Sequence, residues 1–417
     1  MADNILIIGG GLIGLCAAYY AQKDGHRVTI LERGGPDHDM CSLGNAGMIV
    51  PSDFEPLAMP GMVSYGLRTM WNPESPFYIR PRLSPELAEW GLRFMQAATA
   101  ERVERAAPLM RDLQLHSRQC FVELADELGN DFGFTQNGLF ILCKTQAKLD
   151  EKRHLVEHAL KLGIPAHMLT PDEVRQLDPG VAYDIIGAAY FPKDCHLAPH
   201  TFVTRLTRHL QENGAEFRWN CAATGWRDEA GNVSVVTNQG TLSADKIVLA
   251  TGSWVGQTAR GLKLHLPMQA GKGYSLTLPA PRQLPRICAL GAEARIAITP
   301  MSGQLRVGGT MEITGLDESI NPRRVQGILK SFTQYYPAFN VKDFDGVPVW
   351  RGLRPVTPDG LPYVGRAKNY KNLFIAAGHA MLGLSLGPIT GKILARLLGG
   401  HEPGYDLTLL NADRFNS

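Results

Sequence analysis

Apolar runs alternate with glycine-rich breaks at both ends of the chain, and that rhythm predicts the first elements. Residues 5–8 form a short continuous apolar run, the pattern of a parallel strand buried on both faces. Four glycines within 9–14 break it, and 15–23 then read as a helix stopped at Gly25. A second strand over 27–31 completes a β-α-β unit in about 30 residues. The C-terminal end follows the same logic: a buried strand over 373–377, a glycine-rich turn over 378–388 and a helix over 389–398.

Between these ends the texture changes twice. Over 51–85 prolines are dense and interleaved with Phe54, Tyr65, Trp71, Phe77 and Tyr78. That composition predicts a long irregular excursion, the kind of segment that serves as a lid or site wall. Residues 85–161 read as mostly helical, interrupted by a strand over 138–142, and a further helix covers 199–212. Alternating patterns predict strands over 216–219, 233–237, 246–250, 273–278, 296–299 and 305–309, with one helix over 324–335.

A length of 417 residues favours two intertwined domains over one core. The 44% apolar and 20% charged shares are those of a soluble globular protein, and a net charge of +2 with scattered Lys and Arg gives nucleic acid no basic field. Seven cysteines without a CxxC pair argue against a disulfide framework or zinc site and for a reducing, cytoplasmic compartment. The start has no basic n-region, and glycines interrupt its apolar stretch, so it reads as neither signal peptide nor membrane span.

Chemistry enters at Gly9-x-Gly11-x-x-Gly14, which follows a strand and opens a helix, with Leu12 and Ile13 inside the turn. Glycine there permits a tight turn, close approach of backbone to a pyrophosphate, and close helix–strand packing. The helix N-terminus adds free N–H groups and partial positive charge. Glu32, followed by Arg33, closes the second strand 18 residues beyond Gly14. Its carboxylate suits ribose hydroxyls and repels a 2′-phosphate. This pattern leaves FAD and NAD both open.

Further motifs resemble the D-amino-acid oxidase and glycine oxidase superfamily, and within it the small subunit of bacterial D-amino-acid dehydrogenase. They are the stretch from Cys41 to Gly47, the segments 56–61 and 72–81, Ala250-Thr-Gly-Ser-Trp254, residues 351–365 and residues 372–383. The resemblance runs from about residue 4 to about 400 in the family's order. It implies an α/β fold: a Rossmann-like FAD-binding domain of the glutathione-reductase type, interleaved with an antiparallel-sheet substrate domain. The expected boundaries are 1–52, 190–255 and 345–417 for the FAD domain, and 53–189 and 256–344 for the substrate domain. It further implies cofactor contacts from Ser42, Asn45, Ala46, Gly47 and Met48, from Thr251, Gly252 and Trp254, and from Gly378, Met381, Leu382, Gly383 and Leu384. A helix beginning near Gly387 would stabilise negative charge on the reduced ring. Covalent attachment is not expected: the last cysteine is Cys288, and Gly44 stands where the histidine-linked type carries its histidine.

On the substrate side, Arg354 in Gly352-Leu-Arg-Pro355 matches the family arginine that clamps the substrate carboxylate. A guanidinium suits that task, since it offers parallel charge-assisted hydrogen bonds and stays protonated. The alternative is a structural pair with Asp359, and Arg351 is a neighbour of equal charge. Tyr274 and His379 are the other candidates, each weighed against an ordinary packing role, while Cys195 and His196 match no metal spacing. No G-x-S-x-G surrounds Ser253 or Ser302, which argues against a hydrolase.

The reaction so implied is oxidation of a D-amino acid by hydride transfer to flavin, giving an imine that hydrolyses to a keto acid and ammonia. A quinone or partner protein would accept the electrons. Rival readings are a D-hydroxyproline or other cyclic imino-acid dehydrogenase, a glycine or sarcosine oxidase, an NAD-dependent dehydrogenase, and a non-catalytic FAD-carrying subunit. Residues 59–71 leave a peripheral contact with the inner face of the membrane open beside the lid reading. The sequence leaves a homo-oligomer open as well.

Overall fold

The computed structural model describes residues 2–69, 72 and 74–416; Trp71, one of the aromatics of the expected lid, lies outside them. Two sheets organise the chain. The first runs in the order Tyr363–Arg366, Leu373–Ala377, Lys246–Leu249, Asn4–Ile8, Arg27–Leu31, Glu216–Arg218, and all its neighbours are parallel except the first pair. Its strands are apolar on both faces because both are covered. Ile5 and Ile7 join the core beneath the helices, while Leu6 and Ile8 join the core shared with Val233 and Val235 of a three-stranded meander.

The first helix, Leu12–Lys23, begins three residues earlier than the apolar pattern suggests. Gly9 makes the turn at φ 111°, and Gly11 caps the helix in extended conformation. The C-terminal helix, Gly383–Leu398, likewise starts well before 389 and before Gly387. Pro388, read as a boundary, lies inside it, and in that turn the carbonyl of Ser385 accepts the Ser117 hydroxyl at 2.5 Å. The helix presses on the first one at Gly391, where a Cβ would strike the Cys16 carbonyl. Long and apolar as it is, it is a core helix, with 67% of its apolar window buried inside the fold.

The second sheet has nine strands. Val349–Val356 stands at one edge, followed by Gln269–Leu278, Gln304–Ile313, Ile296–Met301 and Cys288–Gly291, then Leu139–Cys143, Gly187–Phe191 and His167–Leu169. Phe77–Ile79 adds to it parallel to Met311–Ile313. Two expectations change here. Val349–Val356 belongs to this sheet, so the FAD-domain segment expected from 345 surrenders its first strand. The expected irregular excursion also carries a helix, Met62–Thr69, besides Phe77–Ile79. The amphipathic helix Pro322–Tyr335 packs Val325, Ile328, Leu329 and Phe332 on one face of the sheet. The other face carries glycines at 271, 273, 308 and 352 and looks across a cavity toward the first sheet.

Candidate active site

That cavity has a volume of about 1770 Å³, well above the roughly 300–1,000 Å³ of a site for one drug-sized ligand. It runs from the glycine turn to the bare face of the second sheet, with room for a cofactor and a substrate. At the glycine turn the three positions divide the work as the chemistry requires. A Cβ on Gly9 would lie 2.5 Å from the Ala250 carbonyl, and one on Gly14 would strike the Gly9 carbonyl. A Cβ on Gly11 would meet nothing within 4 Å, so its backbone is open to the cavity it lines. Glu32 is buried, and its carboxylate accepts from Gly10 N at 2.9 Å and Gly34 N at 2.8 Å. The Arg33 guanidinium lies 3.9 Å over the Trp254 ring, forming a flat wall beside it.

Leu12, Ile13, Ser42, Asn45, Ala46, Met48, Thr251 and Gly252 line the same cavity, as do Gly378, Met381, Leu382, Gly383 and Leu384. Gly14 and Gly47 stand behind the lining; Gly47, at φ 78°, would carry a Cβ into the Leu197 carbonyl. Thr251 Oγ1 is buried and lacks a hydrogen-bond partner among the described residues, as does His379 Nδ1. His379 Nε2 pairs with Thr390 Oγ1 at 3.0 Å, and burial holds the ring neutral by pushing its pKa down to about 3. Two buried polar atoms facing no protein partner are sites for a ligand to satisfy.

At the far end Arg354 leaves its strand and lies across Gly273, where any side chain would collide with the guanidinium. Its Nη1 donates to the Thr310 carbonyl at 2.7 Å. Thr310 is a β-branched residue at φ 71°, and this strained backbone sits at the irregularity in the pairing of its strand. Burial lowers the Arg354 pKa, though the group remains a cation at neutral pH. The alternative pairing with Asp359 is not formed. Asp359 is held by Arg414 at 2.9 Å and Arg102 at 3.2 Å, and Arg351 pairs with Asp39 and Glu318. Among the described residues no carboxylate lies within ion-pair distance of Arg354.

Tyr274 is among the residues lining the cavity, but its ring turns away from Arg354. Neighbouring residues on a strand point to opposite faces, and Gly273 faces Arg354. The Tyr274 ring is therefore buried in the core on the helix side, with its hydroxyl accepting from Asn321 N at 3.1 Å. The wall opposite comes from Met59, Met62, Tyr65, Phe77, Trp90 and Phe94. Arg295 lies 4.1 Å over the Tyr65 ring, and Trp90 Nε1 donates to the Val356 carbonyl at 2.9 Å, tying this wall to the sheet. Gly273 and Thr310 were not singled out from the sequence. The glycines recurring inside strands at 271, 273, 308 and 309 were the available signal, since strand glycine marks close approach or a bulge.

The sequence pattern of the FAD dependent oxidoreductase family matches residues 4–397. The chain belongs to that family. It is 31% identical over 418 residues to a D-amino acid dehydrogenase of Bradyrhizobium diazoefficiens, covering 99% of each chain. It is also 31% identical over 421 residues to a D-amino acid dehydrogenase of Paramagnetospirillum magneticum, again over 99% of each. Among solved structures, glycine oxidase from Geobacillus kaustophilus superposes with a TM-score of 0.79 at 25% identity, covering 99% of each chain. L-proline dehydrogenase from P. horikoshii shares the fold at 0.75 and 19% identity, covering 100% of this chain and 98% of that one. FAD is the cofactor, and the site fits it: an open glycine backbone for a pyrophosphate, a carboxylate at the second strand's end, and orphaned polar atoms along the lining. The expected fold class, a Rossmann-like FAD-binding part joined to a largely antiparallel substrate sheet, agrees with both the topology and these neighbours.

Proposed function

We propose that the chain is a dehydrogenase of D-amino acids, which yields an imine that hydrolyses to the keto acid and ammonia. FAD supplies the hydride acceptor for the substrate's α-carbon. The observation that carries this reading is the Arg354 guanidinium, without a carboxylate partner among the described residues and held by Thr310 over Gly273 in the cavity that also holds the glycine turn. One N–H of Arg354 is committed to Thr310, which leaves the rest for a two-point hold on the α-carboxylate. Holding the carboxylate there positions the α-carbon for transfer to the cofactor. The aromatic wall keeps water from the reacting carbon. His379, kept neutral, takes no proton from the amine but offers Nδ1 as a hydrogen-bonding atom on the lining.

The relatives' name supports an acceptor other than oxygen, and we assign it to a quinone or a partner protein. The cofactor is held without a covalent bond, because Gly44 lies against the Trp350 ring and leaves no room there for a linking side chain. We assign the chain to the cytoplasm. A membrane quinone would require a peripheral seat on the inner face of the membrane through the wall around Met62–Thr69, which co-sedimentation with anionic vesicles tests.

The deciding experiment is anaerobic titration of the yellow holoprotein with D-amino acids, their L-enantiomers, D-hydroxyproline and sarcosine. Bleaching by D-amino acids with primary amines is expected. Bleaching by D-hydroxyproline or sarcosine alone would replace this substrate with a secondary amine. A flavin that none of them reduces would overturn the reading.

A further inference from the structure

Three consecutive carbonyls of the loop after the second strand are turned onto the substrate sheet and away from the cavity. Arg306 Nη1 donates to the Leu43 carbonyl at 2.9 Å and to the Asn45 carbonyl at 2.8 Å. Ser275 Oγ donates to the intervening Gly44 carbonyl at 2.9 Å. Arg306 is itself steadied by donation from Nε to Thr277 Oγ1 at 3.0 Å. In a trans peptide the C=O of one residue and the N–H of the next point in opposite directions. Turning the Leu43 and Asn45 carbonyls toward the sheet therefore turns the Gly44 and Ala46 amides the other way. Both residues line the cavity, and Arg306 does not. The Asn45 amide is taken by the Ser42 carbonyl at 3.2 Å, but among the described residues no acceptor reaches Gly44 N or Ala46 N.

We propose that Arg306 is a positioning residue for the cofactor: it presents the Gly44 and Ala46 amides to a hydrogen-bond-accepting edge of the flavin ring and sets a half-buried positive charge behind them. The inference rests on the chain binding FAD and is independent of which amine it oxidises. Among the described residues no carboxylate lies within ion-pair distance of Arg306. Burial lowers its pKa to about 10, so it is charged at neutral pH. Two fixed N–H donors and an uncompensated cation favour whichever redox state carries more negative charge, which is the reduced flavin.

The test is FAD titration of the apoprotein together with the midpoint potential of the bound flavin, for wild type, Arg306→Met, Arg306→Lys and Ser275→Ala. Arg306→Met is expected to weaken FAD binding about tenfold or more. It should also lower the potential by about 30 mV, the equivalent of a tenfold change for a two-electron couple. Arg306→Lys keeps the charge but loses the paired hold on two carbonyls, so affinity falls several-fold and the potential falls less. Ser275→Ala leaves Arg306 in place, so its potential stays nearest wild type. A merely structural arginine would alter stability and leave the potential of folded holoprotein untouched. Should Arg306→Met not fold, Arg306→Lys decides, and unchanged affinity and potential in that variant overturn the inference. Wild-type protein that takes up no FAD overturns the cofactor assignment as well; FAD-bound wild type with indifferent Arg306 variants overturns this inference alone.

Discussion

Both ends of the cavity are built on glycine, and they use it in opposite ways. At the first sheet, Gly9 and Gly14 let backbone close on backbone so that the bare peptide at Gly11 faces the cavity. At the second sheet, Gly273 clears space so that a side chain, Arg354, can lie flat on the strand. On the proposed reading the first end would recognise through N–H groups and a helix terminus, with no side-chain cation required. On that reading the second would recognise through one side-chain charge held in place by its neighbours. A Cβ is therefore fatal in different senses at the two ends: it removes the ligand's approach at one, and displaces the recognising group at the other.

The largest effect expected is at the substrate end. Arg354→Met should lower kcat/KM for D-amino acids by about 10²–10³, the loss of a desolvated charge-assisted hold on a carboxylate worth roughly 2–5 kcal/mol. Arg351→Met is the control, because its partly exposed pairs with Asp39 and Glu318 are worth only about 0–1 kcal/mol. Steady-state kinetics with an artificial acceptor measure both. Equal losses would dissolve the distinction between the two arginines.

At the cofactor end the contrast is between two glycines three residues apart. Gly14→Ala forces a Cβ onto the Gly9 carbonyl and should destabilise the apoprotein by about 1–3 kcal/mol. Gly11→Ala meets no protein atom, so its apoprotein should stay within about 0.5 kcal/mol of wild type while FAD binding falls about tenfold. Denaturant melts of the apoproteins and flavin titration separate the two roles. A Gly11→Ala protein with normal FAD affinity would place the pyrophosphate elsewhere.

How much of this was legible in advance follows the same division. The glycine turn, Glu32 and the flanking strands could be read from the sequence because the requirement is local: a strand, a turn and a helix in one short unit. The helices start earlier than the pattern suggests because glycine and proline read as breakers, whereas Gly387 and Pro388 sit buried inside the last helix, with Gly387 against Cys16 and Leu12 of the first. Arg354 could be preferred to Arg351 only through its motif. Its actual supports, Gly273 and Thr310, come from strands more than forty residues upstream, and a bulge cannot be foreseen from local pattern. The ring of Tyr274, a candidate for the substrate, turns to the packed face for a related reason. Strand parity decides which face a residue takes, and the sequence does not say which face holds the cavity.

The two ends also differ in how they hold a titratable group. Arg354 stays charged, whereas His379 at the cofactor end stays neutral, with its pKa pushed down to about 3 by burial. Below the ordinary histidine pKa of about 6.5 the unfolded chain binds a proton that the folded one refuses, so stability falls as pH falls. The contribution is complete above pH 6.5 and is lost progressively toward pH 3, at up to about 1.4 kcal/mol per pH unit. His379→Gln should flatten that part of the pH dependence in denaturant melts of the apoprotein. His196, lowered to about 4 by burial, retains its own share. An acid slope unchanged in His379→Gln would mean that the ring is not the group that resists protonation.

The smallest expected effect tests strand parity itself. Tyr274 and Gly273 are chain neighbours on opposite faces, one beneath the helix and one beneath Arg354. Tyr274→Phe removes a hydroxyl that bonds Asn321 N and leaves the ring in its core, so stability should fall by about 1 kcal/mol. No atom lost faces Arg354, so kcat/KM should stay within about twofold of wild type, in contrast to Gly273→Ala, which displaces the guanidinium. If Tyr274→Phe instead lost activity at unchanged stability, the hydroxyl would belong to the substrate, and the division of the sheet into a packed face and an open one would have to be redrawn.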